Sequence, residues 1–304
     1  MKMKKQANRS KRLKQNDTIW SRIFDVCNVI VLIACGFITV APFIYVFACS
    51  VATEQEILTR KFFLIPHTFQ PESYKYIFSS ITLPRAFGNT VFITLVGTAL
   101  AMFLTVTLAY PLSKKRLWGR SVLLSLISFT LVFSGGMIPT FLVIKGLHMI
   151  DSFAALIIPS ALSTWNLIVI KNFFEGLPAE LEDAAKIDGA NDLTVFFKMV
   201  IPLSKPIIMT IALFVAITHW NSWFDAYLFT NAQSLKTMQS ILVEILNQYQ
   251  TSSANQAANQ ASQTITPDSI RMAATMIATI PIIMVYPFIQ KYFVKGIMLG
   301  SVKS

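Results

Sequence analysis

Charged residues are scarce in this chain, and one cluster of them raises a chemical question. Residues 180–192 bring together Glu180, Glu182, Asp183, Lys186, Asp188 and Asp192, broken by Gly189. No nucleophile–base pair or metal constellation accompanies them, so the pattern offers a recognition surface and no catalytic residue. A second group holds Trp220, Asn221, Trp223 and Asp225, with Trp165, Asn166 and Asn89 elsewhere in the sequence. Ring faces and side-chain amides suit contact with hydroxyl-rich, uncharged solutes. Trp and Tyr near the ends of membrane spans also serve as interface anchors, so both roles stay open. Asn89 is equally a helix cap or part of a solute pathway.

These residues lie among strongly apolar elements. The 304 residues are 54% hydrophobic and 13% charged, with a mean hydropathy of +0.57. A soluble domain carries about a quarter charged residues, so too little charge is present to coat a globule of this size. Six apolar windows stand out, roughly 26–51, 87–112, 122–144, 153–171, 207–229 and 270–293. Each approaches the 20 or so residues that a spanning helix needs, the fourth being short. Backbone groups in lipid must pair internally, which predicts an all-α polytopic membrane protein with six transmembrane helices. The alternating ten-residue segments of a β-barrel are missing.

Most of the 26 Lys and Arg fall on one side of this arrangement. They crowd the N-terminal tail, the 114–120 connection, the 171–205 connection and the C-terminal end. The positive-inside rule then makes both termini cytoplasmic. The net charge of +11 reflects this bias and predicts attraction to anionic lipid, not nucleic-acid binding. The first window is too long for a cleaved signal peptide. Cys27, Cys35 and Cys49 suggest no disulfide framework. His67, His148 and His219 have no ligand spacing, so no metal is expected. The predicted divisions are a basic tail at 1–25, a first span with outer loop at 26–85, a membrane domain at 86–293 and a tail at 294–304. Residues 17–25 form either an interfacial elbow helix or a plain extension of the first span. Residues 52–86 are expected to hold short helices. The Gln/Asn-rich stretch 247–268 reads as a solvated loop, or as a segment that folds against a partner.

The charged cluster belongs to a connection at 178–206. Gly176 and Pro178 separate it from the fourth span. Glu180, Glu182 and Asp183 suit a helix N-terminus, where the dipole favours anions. Leu181, Ala184 and Ala185 make a narrow apolar stripe. Gly189 provides a corner, Asn191 or Asp192 can cap a second helix, and Pro202 and Pro206 close it. An acidic helix would be repelled by anionic lipid, so a protein partner fits better.

This stretch, Asp183 to Pro206, resembles the cytoplasmic signature loop of permease subunits of ATP-binding-cassette importers. Asp183-Ala184-Ala185 stands where that pattern has Glu-Ala-Ala. Asp188-Gly189-Ala190, Phe196 and Pro202 follow at matching spacing. The departures are Asp183 for Glu, Met199 for a branched residue and Ile201 for Leu, which leaves Glu182 next door to take over the carboxylate's job. A wider likeness over 86–293 is to carbohydrate-uptake permeases, particularly a Gram-positive branch named for a lipoprotein-linked transport operon.

The resemblance implies a type I importer permease fold in a bacterial plasma membrane. It implies that Glu182, Asp183, Ala184, Ala185, Asp188, Gly189, Ala190, Phe196 and Pro202 form a coupling element seated in a separate ATPase. The implied partners are a second related permease, two ATPase subunits carrying ATP and Mg, a lipid-anchored extracellular binding protein and an oligosaccharide cargo. The residues agree in one respect: this chain lacks a Gly-x-x-x-x-Gly-Lys-Ser/Thr loop and is expected to bind no cofactor of its own. A non-sugar importer is the nearest alternative. A secondary transporter or channel is less favoured, because ion coupling places charges inside the spans, and Asp225 is the main one here.

Overall fold

The computed structural model describes residues 19–60, 62–79, 82–253 and 267–300. Every regular element among them is helical. The chain divides into two compact units, 1–73 with 264–273, and 74–263 with 274–304.

In the first unit, helix α1 spans Ile19–Ser50. Most of its length is exposed apolar surface, from Ile19 to Phe47, as a lipid-facing helix requires. It runs unbroken through Asp25, so the extension of the span, and not a separate elbow helix, is what the structure shows. Helix α2, Glu54–Thr59, starts where the Thr53 hydroxyl accepts the Glu56 amide. Ala48, Cys49, Ala52 and Phe63 form a small core with Met272. The buried Glu56 carboxylate accepts the His67 amide at 2.9 Å and the Arg60 guanidinium at 2.6 Å. Burial pushes its pKa up, but these bonds outweigh burial and leave it below the usual carboxylate range. A desolvated charge needs such partners.

Helix α3, Glu72–Ser79, is the second short helix of this connection. In the second unit the central element is α4, Thr82–Ser113, which begins several residues before the expected window. Its small and branched residues face inward: Ala86, Ile93, Gly97, Ala101, Thr105 and Ala109 are all buried. Spacings of four and seven put them on one face.

The third window is broken into α5, Arg120–Val132, and α6, Met137–Gly146, bent by 116° across Ser134-Gly135-Gly136. The fourth is also broken, into α7, Phe153–Ile157, and α8, Thr164–Glu175. Ser152 and Ser163 cap these two helices, and Pro159 between them has no amide to continue a helix. The 178–206 connection gives α9, Ala179–Ile187, and α10, Asp192–Val195. A π turn at Phe196–Val200 and α11, Ile201–Leu203, follow. A 76° bend then leads into α12, Lys205–Trp220. Helix α13, Phe224–Phe229, ends the fifth window.

Helix α14 covers Met238–Ser253. It carries helical structure into the stretch read as a Gln/Asn-rich loop, whose residues 254–266 lie outside the described residues. Tail residues 1–18 and 301–304 lie outside them too. Helix α15 spans Pro267–Gly300 and so extends past the expected boundary at 293. Among the described residues, α1, α4 and the Asp268–Val285 part of α15 are each long and apolar enough to cross a membrane. The two bent pairs raise the number to as many as five. Helices α4, α8 and α12 pack around Ala109, Leu167, Ile170, Phe174, Val195, Phe196 and Ile211, which carries the 178–206 connection on the main core.

Candidate functional site

The 178–206 connection is a helix pair with a left-handed corner. The amide of Gly189 donates to the Lys186 carbonyl at 3.0 Å, and that of Ala190 to the Ala185 carbonyl at 2.9 Å. This double closure satisfies the last carbonyls of α9 and demands a left-handed residue. Gly189 supplies it, with φ of +84°. Asn191 then caps α10, its side-chain oxygen accepting the Thr194 amide at 2.7 Å. The sequence pattern Asp188-Gly189-Ala190-Asn191 is therefore a stop followed by a start.

The pair has two sides. Ala185, Ala190 and Phe196 face the main core, and Phe196 is buried with its ring 4.8 Å from that of Tyr110. Asp183, Ala184, Asp188, Gly189 and Pro202 are exposed, as is Ile187 at 87% and Leu193 at 67%. The exposed side thus presents Ile187 and Leu193 among carboxylates, with Leu181, Phe197 and Leu203 also exposed, and such side chains could insert into a complementary groove. Phe196 holds the pair on the core and offers nothing outward. Glu182 turns back to pair with Lys114 and so faces the 114–120 turn, not the exposed side.

That pair belongs to a set of charges joining the connection to the 114–120 turn. Arg116 Nη2 meets both oxygens of Asp192 at 2.6 Å. Lys186 reaches Asp192 at 3.2 Å from the other side of the Gly189 corner. The Arg116 and Lys186 cations hold the Asp192 carboxyl below its usual pKa. Lys114 also lies 4.7 Å over the Tyr110 ring. Behind them, Glu175 pairs with Lys171 at 2.7 Å and Arg120 at 2.8 Å. Lys171 first, then Arg120, keeps the Glu175 carboxyl below its usual range. The Lys114–Glu182 side chains are under 20% exposed, where removing one partner of a truly buried pair costs about 3 kcal/mol. The half-exposed Arg116–Asp192 pair is worth about 0–1 kcal/mol.

A cavity of about 220 Å³ opens between α4, the α7–α8 connection and α12. Thr105, Ser160, Ser163, Asn166, Thr218 and His219 supply its polar lining, and among the described residues no carboxylate, Lys or Arg does. The Ser163 hydroxyl accepts the Asn166 amide proton at 3.4 Å, which leaves its own proton for the cavity. His219 packs on Gly97, where an added Cβ would stand 2.6 Å from Nε2. Glycine at 97 is what allows α4 and the imidazole to meet.

Of the aromatic and amide residues picked from the sequence, only Asn166 lines this cavity. Trp220 is buried, donating its indole N–H to the Ala278 carbonyl at 3.2 Å and meeting Phe87 edge to face. Asn89 donates to the Ser234 and Lys236 carbonyls, so it is a clasp and not a helix cap. Asp225 accepts the Ser222 hydroxyl at 3.0 Å near the start of α13. Trp165, Asn221 and Trp223 are exposed. Their polarity marked them out, but intrahelical and interhelical bonding had already claimed three of the seven. Thr105, Ser160, Thr218 and Lys114 were missed. Two i, i+3 pairs (Ser160 with Ser163, Val215 with Thr218) and the i, i+4 pair of Val215 with His219 were the available signal.

This arrangement, a signature-like helix pair hung on a bundle of broken apolar helices, can be set beside known proteins. Residues 11–299 match the family described as binding-protein-dependent transport system inner membrane component. The chain belongs to this family. The permease is 47% identical over 292 residues to "Protein LplC" of Bacillus subtilis, covering 95% of this chain and 98% of that one. It is 46% identical over 284 residues to the polygalacturonan/rhamnogalacturonan transport system permease protein YtcP of the same species, covering 93% and 99%. Among solved structures, it matches a chain of a bacterial ABC transporter that imports the acidic polysaccharide alginate. The TM-score is 0.81 at 31% identity, with 91% of this chain and 99% of that one covered. The fold is therefore that of an ABC importer permease, a membrane protein and a transport component.

Proposed function

We propose that this permease subunit moves an oligosaccharide across a bacterial plasma membrane by alternating access, driven by separate ATPase subunits. The observation that carries the cargo reading is the cavity, with hydroxyls, one amide and one imidazole but no fixed charge among the described residues of its lining. Such groups exchange hydrogen bonds with sugar hydroxyls. The relative named for polygalacturonan and rhamnogalacturonan transport and the alginate importer support a glycan as cargo. In this reading the 178–206 pair is the coupling element, its Ile187 and Leu193 face entering a groove on an ATPase. ATP and Mg sit on that subunit, whose hydrolysis restores the inward-facing state. A second permease completes the pathway, a lipid-anchored extracellular binding protein delivers the sugar, and both termini are cytoplasmic.

Charge on the cargo divides the reading. A neutral glycan fits the lining as it stands. An acidic glycan, suggested by the alginate importer, would need cations from the partner permease. The test is uptake by the reconstituted complex of matched neutral and uronate oligosaccharides, with Asn166→Ala beside the native protein. Transport of a glycan, reduced about tenfold or more by Asn166→Ala with loss of one charge-neutral hydrogen-bond set, supports the site. Uptake of amino acids or peptides with no glycan would overturn it.

A further inference from the structure

The 114–120 turn touches the coupling pair on both arms. Lys114 grips Glu182 in α9, and Arg116 grips Asp192 at the start of α10. These acids stand on opposite sides of the Gly189 corner, and Lys186 bridges across it to Asp192. A rotation of either arm about Gly189 would break at least one charge pair. The same turn follows directly on α4, whose last residue is Ser113. Tyr110, one turn before that end, is sandwiched between the Lys114 ammonium and the Phe196 ring. Its hydroxyl also lies 3.5 Å from the Asp192 carbonyl.

We propose that residues 114–120 form a strut that locks the helix pair to α4, with Lys114 and Arg116 as its positioning residues. The strut makes the two arms and the end of α4 one rigid body. A displacement imposed on the exposed Ile187 and Leu193 face is then delivered to α4, and along it to the Gly97–His219 contact beside the cavity. Without the strut, α9 swings about Gly189 and the displacement dissipates in the corner. Charge serves this role well: the pairs are directional and hydrogen-bonded, and the Lys114–Glu182 pair is shielded enough to resist screening by salt.

The inference rests on the coupling role proposed above, so the experiment separates the two. The assembled complex is prepared with Lys114→Glu, Glu182→Lys, the double exchange, and Lys114→Gln in case a reversal disturbs folding. Amide exchange over 179–190 and sugar moved per ATP hydrolysed are both read. Each reversal, and more mildly Lys114→Gln, should speed exchange there about tenfold or more, since like charges then oppose each other in a partly desolvated site. Transport per ATP should fall with it, and the double exchange should restore both. Unchanged exchange in the single variants, or no restoration in the double, overturns the strut. Faster exchange with transport per ATP unaltered leaves the lock standing as a structural device and overturns its role in coupling.

Discussion

The two ends of α4 are fastened by different chemistry. At its C-terminal end, the strut is made of side-chain charges, Lys114, Arg116, Lys186, Glu182 and Asp192. Near its N-terminal end, side chains hold a neighbouring backbone. Asn89 donates to the Ser234 and Lys236 carbonyls, and the Thr90 hydroxyl accepts the Met238 amide at 2.9 Å. Asp151 joins this clasp, accepting the Asn231 and Ala232 amides at 2.5 and 2.9 Å, while its own amide donates to the Phe229 carbonyl. A clasp to backbone fixes a loop in one shape, whereas charge pairs between helices resist one direction of swing and can re-form. In the coupling role proposed above, the end that stays attached while moving is the one built from charges.

The corner offers the strongest way to break this contrast. Gly189 has φ of +84° and open space around its absent Cβ. The cost of a side chain there is thus purely conformational, about 1–2 kcal/mol for an ordinary L residue. Gly189→Val should turn α9 away and abolish uptake while the spans still assemble. Gly189→Asn, which tolerates the left-handed region, should keep most of it. Substrate-stimulated ATP hydrolysis in the purified complex checks both, and normal stimulation in the Val variant would remove the corner from the coupling element.

At the other end the matching perturbation is Asp151→Ala. It deletes the acceptor for two amides at a residue with φ of +56°. Amide exchange at 231 and 232 should rise several-fold, and exchange over 179–190 should not change. The Ala232 and Asn231 amides hold the Asp151 carboxyl below its usual pKa. Its contribution is therefore present above the unfolded carboxylate value, about 3.9. It is lost as the pH falls through the folded value. A change at 179–190 in this variant would show that the two ends are not independently fastened.

Much of this was legible beforehand because it depends on local backbone chemistry. Gly189 followed by Ala190-Asn191 encodes a stop and a start within three residues, and apolar windows at 26–51 and 87–112 correspond to α1 and α4. What stayed hidden depends on residues far apart in sequence. Glu182 looked available until Lys114, 68 positions away, was placed beside it. Trp220 looked like a cargo contact until Ala278 took its N–H. The break inside the fourth window was equally concealed, since hydropathy counts Ser160 and Ser163 as minor interruptions while the backbone uses Ser163 to start a helix.

The smallest effect expected separates the fastenings by salt. Arg116 and Asp192 are more than half exposed, so their pair contributes only about 0–1 kcal/mol and is screened over about 8–10 Å at ordinary ionic strength. Raising the salt from 0.05 to 0.5 M, as an order-of-magnitude step, should therefore speed amide exchange over 190–195 by about twofold. Arg116→Gln should give the same increase at low salt and remove the salt dependence. Exchange at the Met238 amide, which the neutral Thr90 hydroxyl holds, should stay flat across that range. Acid adds a second axis: Asp192 is held below its usual pKa by Arg116 and Lys186, so its contribution is fully present above the ordinary carboxylate value and is lost as the pH falls from there through the folded value. A salt response at the Met238 amide equal to that at 190–195 would mean that both ends of α4 answer to one global loosening, and the distinction between strut and clasp would fall.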